Sequence, residues 1–554
     1  MPNILVQLVK NSPPINAENL PERVKNKISQ PDVSKEAPTI EEYEVYEKVR
    51  KKKLKNSTVP GDIPKKLKKE FLPELAKPAA FIFNSITCTG MYPRQWVTEY
   101  VSPIPKVNPP ETEDDLRNIS LTADLSKNYE NFLSEWLMPY IKKRIDPGQF
   151  GGLSGHSTTH YLISLYNFIL TNTDTSSIPK AVMVALVDFS KAFNRINHAK
   201  VIVRLSDWGV PGWLLRILIS YLTGRSMILR YKGVCSDRFL MPGGSPQGTL
   251  LGVLLYLVYV SDIGMDLPQA PPTVQGIVDL PSVQYPPPTA ISVHEARLKF
   301  VDDLSLAEIV RLDSQLHQNH SGYYLPASKS ILQRQLDEIS SAAETHDMKI
   351  NLDKTKIIPF NFTRNYKFEP CFMLEGSNLE VVHETKLLGL VVSSDCRWEK
   401  NTKNVVQRGQ ARLWFLRRLK LLGASSTTLV DIYKLFCRSV LEYCAPVWAG
   451  SITKKNTQNI ERVQKNAFKI IFGYHYTSYD DLLTDIDESS LDERRDELSL
   501  SFARKCVKSE KFCSWFPTGV STRGGSHYFE SEAKTKRLRN SAIPYMTRLL
   551  NQKN

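Results

Sequence analysis

A run of β-branched and small apolar residues that ends on a single carboxylate constrains this chain more than any other stretch. It is ALVDFSKAFNRI, Ala185 to Ile196. Val182, Val184 and Val187 favour a buried strand. A strand that delivers Asp188 at its end places a charge where burial without a partner costs several kcal/mol. A second anomaly lies 114 residues on (302 minus 188), where LKFVDDLSLA sets Asp302 and Asp303 side by side between two short alternating apolar runs. That pattern predicts a β-hairpin with acids at its turn.

Two carboxylates ~4 Å apart repel by roughly 4 kcal/mol at an effective dielectric near 20, so a cluster of Asp188, Asp302 and Asp303 calls for divalent cations. With no His or Cys close by in sequence, the donors suit Mg²⁺ or Mn²⁺ better than zinc. Paired ions of that kind activate one oxygen and stabilise another in phosphoryl transfer.

The 554 residues allow several domains. Lys and Arg outnumber Asp and Glu by 72 to 58, a formal net charge of +14 with pI near 9.2, which favours a polyanionic partner. None of the eight cysteines falls in a zinc-knuckle or zinc-finger pair, and the start of the chain carries no signal peptide. Reduced thiols in an intracellular, non-secreted protein are expected. The most apolar stretch, LLGVLLYLVYV (Leu250 to Val260), is about half as long as the ~20 residues of a membrane span and reads as a buried helix. No membrane partner is expected.

In chain order, residues 1–40, with five prolines between Pro13 and Pro38, read as a mobile leader. Basic clusters follow at Lys51 to Lys55 and Lys65 to Lys69; the first could also serve as a nuclear address. Lys106 and Arg117 stand on the two arms of an expected hairpin and could clamp a triphosphate, Arg by paired hydrogen bonds and Lys as a point charge. Hydroxyls at Ser157 to Thr159 are placed to cap a helix. Residues 226–241 suggest a hairpin about Gly233.

In GGSPQGTLLGVLL, from Gly243, Gly244 and Gly248 let backbone approach a ligand. Pro246 sets the turn, Gln247 offers an amide, and Thr249 caps the apolar helix. Such a turn can hold an incoming nucleotide or template base. Seven prolines in 267–290 predict an exposed insertion, and 309–328 a second one. Lys354 or Lys356, in MKINLDKTKIIPF, could protonate a pyrophosphate leaving group. KLLGLVV (Lys386 to Val392) reads as one strand.

From Asn401 the pattern is helical and basic. Leu413, Leu416 and Leu419 share a helix with Arg408, Arg412 and Arg417, and a later helix has Asp431 placed for a capping box. A basic bundle face of this kind, including Arg412 and Arg417, could grip a nucleic-acid backbone.

The order of these motifs resembles the reverse transcriptase family, and more closely the polymerases of non-LTR (LINE-type) retrotransposons. Asp188 to Phe193, Gly244 to Thr249, Phe300 to Asp303, Asn351 to Lys356 and Lys386 to Gly389 match five palm motifs in order. PIPK and RNISL match fingers elements and Ala445 to Ser451 the thumb, so the likeness covers roughly residues 40 to 550. Asn194 stands where the family commonly has Asp, and Asn118 where Pro usually follows the Arg.

The resemblance implies an α+β right-hand polymerase, with fingers and an antiparallel palm sheet over 41–395, a helical thumb over 396–475 and a helical C-terminal region over 476–554. It implies metal-binding, catalytic carboxylates at Asp188, Asp302 and Asp303, and an aromatic gate against the ribose 2′-hydroxyl at Phe193. Gln247 would lie near the template or nucleotide, with Gly244 and Pro246 in the same loop, and Lys106 and Arg117 would hold the triphosphate. The expected partners are an RNA template, a DNA primer or nicked target DNA, and dNTPs, with Mg²⁺ as cofactor. A group II intron maturase shares the palm. The upstream endonuclease of many such elements, an RNase H acid set and a zinc knuckle are not found, which suits a fragment of a larger polyprotein or a decayed, catalytically silent nucleic-acid-binding copy.

Overall fold

The computed structural model describes residues 17–29, 37–52, 59–60, 62–106, 109–112, 115–174, 178–241, 243–263, 297–313, 316–319, 322–325, 330–366, 368, 370–520 and 526–552. The proline-rich insertion 267–290 lies wholly outside the described residues, as do parts of the leader, of the Lys51 to Lys55 run and of the second insertion. The chain divides into two compact units, each discontinuous in sequence: Met1–Gly152 with Phe189–Leu267 and Glu338–Asn351, and Leu153–Asp188 with Pro268–Asp337 and Leu352–Asn554.

Eight strands, with the two-residue strands Val234–Cys235 and Phe239–Leu240, build the two five-stranded sheets: β1 (Thr98–Pro105), β2 (Leu116–Leu121), β3 (Lys180–Val187), β4 (Ser226–Tyr231), β5 (Arg297–Phe300), β6 (Asp303–Arg311), β7 (Lys356–Phe360) and β8 (Glu380–Val381). In the first unit the sheet order is β2, β1, β4 and then a short strand Val234–Cys235. β1 is antiparallel to β2 and parallel to β4. The turn from β4 to Val234–Cys235 runs through Lys232 (φ 49°) and Gly233 (φ 86°), so the expected hairpin about Gly233 is present.

The first unit also holds a helix at Glu22–Ser29, inside the expected mobile leader. Val24 is fully buried and the Arg23 guanidinium meets Asp207 at 3.0 Å. Val24, the Arg23–Asp207 pair and a hydrogen bond from the Lys27 ammonium to the Ser206 carbonyl (3.1 Å) dock this helix.

In the second unit the order is β8, β7, β3, β6, β5, antiparallel except for the β7–β8 pair at one edge. β3 is central, with a partner on each side and nearly every residue buried, which is why its sequence is a run of Val, Ala, Met and Leu without polar alternation. The KLLG stretch forms two strands, Glu384–Leu387 and Leu390–Ser393, where the sequence suggested one. Leu388 and Gly389 between them both take positive φ, 45° and 90°. The pair makes a tight two-residue turn in which Leu replaces the Asn or Asp that would have announced it.

The C-terminal part is mainly helical: Glu399–Leu421, Ser426–Ile432, Lys454–Phe472, Leu491–Val507 and Ala542–Gln552 are its main helices. Leu413 and Leu416 are buried as the spacing predicts. Ser425, not Asp431, organises the second helix start: its hydroxyl accepts from the Thr428 N–H.

On β6, Glu308 is only 2% exposed and accepts hydrogen bonds from the Ser330 hydroxyl (2.6 Å) and from the first-turn amides of Ile331 and Leu332 (3.0 and 3.2 Å). Burial pushes its carboxyl pKa up while these donors pull it back. It caps the helix Ile331–Thr345 and sits on the face of β6 opposite Asp303 by strand alternation. Glu308→Ala is expected to cost about 2–3 kcal/mol, read as a lower urea midpoint, with Glu308→Gln losing less because one acceptor oxygen remains. Equal midpoints for Ala and the parent would remove this cap from the account.

Candidate active site

Asp188 is the residue after β3, and the pairing Val187↔Leu304 carried one position on sets it across from Asp303. Directly opposed residues of an antiparallel pair share a face, with Cα atoms about 4.5–5.5 Å apart. Asp303 also closes the β5–β6 hairpin opposite Phe300, leaving Val301 and Asp302 as a two-residue turn. Val301 has φ 60°, a conformation that costs a β-branched residue about 1–3 kcal/mol and that the hairpin closure imposes. The strand register therefore brings Asp188, more than a hundred residues away in sequence, to the end of three adjacent strands at which Asp302 and Asp303 also stand.

The support comes from residues the sequence reading passed over. The Thr355 hydroxyl accepts the Asp188 N–H at 3.4 Å, and Thr355 is fully buried. The Tyr161 hydroxyl is hydrogen-bonded to Ser305 and its ring meets Phe300 edge-on at 6.2 Å. Lys356 is paired with Glu380 beside β7, whereas Lys354 is exposed in the turn before Thr355.

The donor set is all oxygen, which fits a hard cation such as Mg²⁺ or Mn²⁺. Among the described residues no group of three or more acidic, His or Cys side chains is already gathered to hold a metal ion. The strand register supplies the backbone proximity of Asp188 and Asp303.

In the other unit a connected run links the remaining nucleotide candidates. Lys106 and Arg117 are exposed on the β1–β2 hairpin, where Ile104 pairs Arg117 and the Lys106 amide donates to Asp115. The two basic residues are thus diagonal neighbours on one face. Three residues along β2, the Ser120 N–H donates to the Gln247 carbonyl at 3.0 Å. The same loop is strapped to the stretch after Asp188: Gly244 N–H donates to Ile196 and Ser245 N–H to Phe193, each at 2.9 Å.

Gly244 has φ 85°, and a Cβ there would stand 3.2 Å from the Asn194 Cα and the Phe193 carbonyl, so only glycine fits. Thr249 caps the apolar helix by accepting from the Gly252 N–H. From that helix Tyr256 stacks on Phe193, ring centroids 4.7 Å apart at 22°.

His198 fastens the loop from below. Its Nε2 lies 2.6 Å from the Gly244 carbonyl, and burial lowers its pKa to about 4 despite that bond. Between pH 6.5 and about 4 the unfolded chain takes up a proton that the folded chain refuses, so stability falls as pH drops, by up to about 3 kcal/mol from this group. His198→Gln is expected to flatten the stability-versus-pH slope in that window; an unchanged slope would remove His198 as the cause.

On the helix Glu399–Leu421 the two arginine candidates differ. Arg412 stacks over Phe436 at 4.4 Å and donates to its carbonyl, while Arg417 is exposed. The Phe436 contacts fix the position of the Arg412 guanidinium.

The family described as "Reverse transcriptase (RNA-dependent DNA polymerase)" matches residues 104–392, just over half of the chain. The chain belongs to the reverse transcriptase family. The expected α+β right-hand polymerase class, with an antiparallel palm sheet and a helical C-terminal region, therefore stands. Similar proteins of Drosophila melanogaster are the "Probable RNA-directed DNA polymerase from transposon BS" (26% identical over 406 residues), its counterpart "from transposon X-element" (24% over 399) and the "RNA-directed DNA polymerase from mobile element jockey" (25% over 403). Each alignment covers 71% of this reverse transcriptase chain but only 40%, 39% and 40% of the respective relative, so the chain spans about two fifths of their length. Among the described residues no helix is long and apolar enough to cross a membrane.

Proposed function

We propose that this chain is an RNA-directed DNA polymerase of the non-LTR retrotransposon type, adding dNTPs to a DNA primer 3′-hydroxyl on an RNA template. The observation that carries the reading is the strand register that opposes Asp188 and Asp303 with Asp302 in the adjoining turn. Asp188, Asp302 and Asp303 would hold two Mg²⁺ ions. When bound, magnesium supplies Lewis-acid stabilisation of charge developing at the transferred phosphorus and lowers the pKa of the attacking hydroxyl.

The chain's own side chains carry the rest. Asp188, with its backbone tied to Thr355, keeps one carboxylate fixed while the hairpin brings the other two. Lys106 and Arg117 bind the triphosphate, and Lys354 gives a proton to the departing pyrophosphate. Phe193, braced by Tyr256, excludes the ribose 2′-hydroxyl. Gln247, with Gly244 and Pro246, shapes the loop against template or nucleotide, and Arg417 meets backbone phosphate.

Primer extension by the purified chain on an RNA template, with and without Mg²⁺, tests the reading. Metal-dependent dNTP incorporation is expected. Salt-sensitive RNA binding with no synthesis would replace it with a silent nucleic-acid-binding protein.

A further inference from the structure

In the unit that carries Lys106, Arg117 and Gln247, one guanidinium and two carboxylates are sealed in the core: Arg225, Glu99 and Glu130 are 2%, 0% and 1% exposed. Arg225 lies over the Tyr221 ring (4.7 Å), and its Nη2 stands 3.9 Å from a Glu99 carboxylate oxygen. The Ser126 hydroxyl donates to one Glu130 oxygen at 3.0 Å. The rest of the cluster is short of partners. Both Glu99 oxygens, the second Glu130 oxygen, two Arg225 nitrogens and the Tyr221 hydroxyl are buried without a hydrogen bond among the described residues. Burial pushes both carboxyl pKa values up, and the Arg225 charge pulls them back.

A core gains little stability from such a set. Taking the charges out of water costs more than a loosely bonded ion pair returns, and apolar residues of the same volume often serve as well or better. Its location supplies another reason for it, because the cluster adjoins the Gly244–Thr249 loop at entry, middle and exit. At the entry the Arg225 carbonyl accepts the Met241 N–H at 2.8 Å. In the middle, His198 holds the Gly244 carbonyl, and burial foremost, with the Arg225 charge after it, keeps that imidazole neutral. At the exit the Thr249 hydroxyl, which donates to the Pro246 carbonyl at 3.5 Å, stands near enough to Glu130 to favour its ionised form and also adjoins Tyr221. The strand that bears Glu99, β1, pairs with β2, whose Ser120 N–H donates to the Gln247 carbonyl.

We propose that Arg225, Glu99 and Glu130 form a positioning centre for nucleotide binding: by setting the Gly244–Thr249 loop from its buried side, they fix where Gln247 meets the template or nucleotide. They govern the KM for dNTP and leave the rate of the chemical step nearly untouched. The three residues are positioning residues, since the loop carries their effect to the substrate. The inference rests on the polymerase reading above.

The test removes all three charges together in the full chain, so that no ion is left buried alone. The triple variant Glu99→Gln, Glu130→Gln, Arg225→Met is expected to melt within about 5 °C of the parent or above it. In the same variant, hydrogen exchange of the amides in 243–249 should quicken by about tenfold or more. The KM for dNTP should rise about tenfold while kcat changes less than about threefold. Adding Gln247→Ala should raise KM by less than the product of the separate effects, since both changes act at one loop. Glu130→Gln alone, the milder change, should raise KM about threefold and decides the matter if the triple variant does not fold. Unchanged KM and loop exchange in a folded variant, fully multiplicative effects with Gln247→Ala, or a kcat that falls in step with the melting temperature would overturn the proposal. A parent that incorporates no dNTP overturns the polymerase reading and, with it, the role in nucleotide binding, whereas an active parent matched by its variants overturns this inference alone.

Discussion

Asp188→Asn is expected to reduce metal-dependent dNTP incorporation by at least about a thousandfold, a loss of roughly 4 kcal/mol of transition-state stabilisation. Asparagine keeps the shape and the backbone hydrogen bond to Thr355 but removes the anion that a cation needs. Removing one of several mutually repelling carboxylates also relieves like-charge strain, so the melting temperature should hold or rise. That combination separates a catalytic role from a structural one: a general fold defect would lower both. Measured single-nucleotide incorporation together with thermal unfolding decides the matter. Activity within tenfold of the parent would remove Asp188 from the chemistry.

The second large effect concerns the choice of sugar. Phe193→Val should raise rNTP incorporation relative to dNTP by about 10- to 100-fold, since filling or emptying the space of one small group is worth about 1–3 kcal/mol in a packed site. The ring cannot easily swing aside, because Tyr256 stacks on one face and the Gly244–Ser245 amides pin the turn that carries it. A rigid wall discriminates; a mobile one would yield. The dNTP reaction itself should lose little, so the readout is the ratio of kcat/KM values for matched dNTP and rNTP. A ratio equal to the parent's would mean that Phe193 does not bound the sugar.

Much of this arrangement was legible because its residues break local rules. A valine-rich strand ending on an acid, two adjacent acids between alternating apolar runs, and a Gly-Ser-Pro-Gln-Gly turn before an apolar helix each announce themselves. What escaped notice is set by partners remote in sequence. Glu308 looks like any strand acid until Ser330 and two helix amides arrive beside it. Thr355 and His198 are unremarkable until they meet Asp188 and Gly244. The KLLG turn was hidden because Leu388 adopts a conformation usually left to Gly or Asn. Arg412 was read from charge alone, which does not reveal that Phe436 holds it.

The central place of β3 also bears on how the protein is made. Its two neighbours, β6 and β7, come from chain lying more than a hundred residues downstream, so Asp188 leaves the ribosome long before either flank exists. At about 5–20 residues per second the nascent palm waits roughly 6–23 seconds for β6 with a sticky, valine-rich edge uncovered. Translation that stalls in this interval would expose a segment prone to self-association, and the same polymer would be both inactive and a natural client for chaperones.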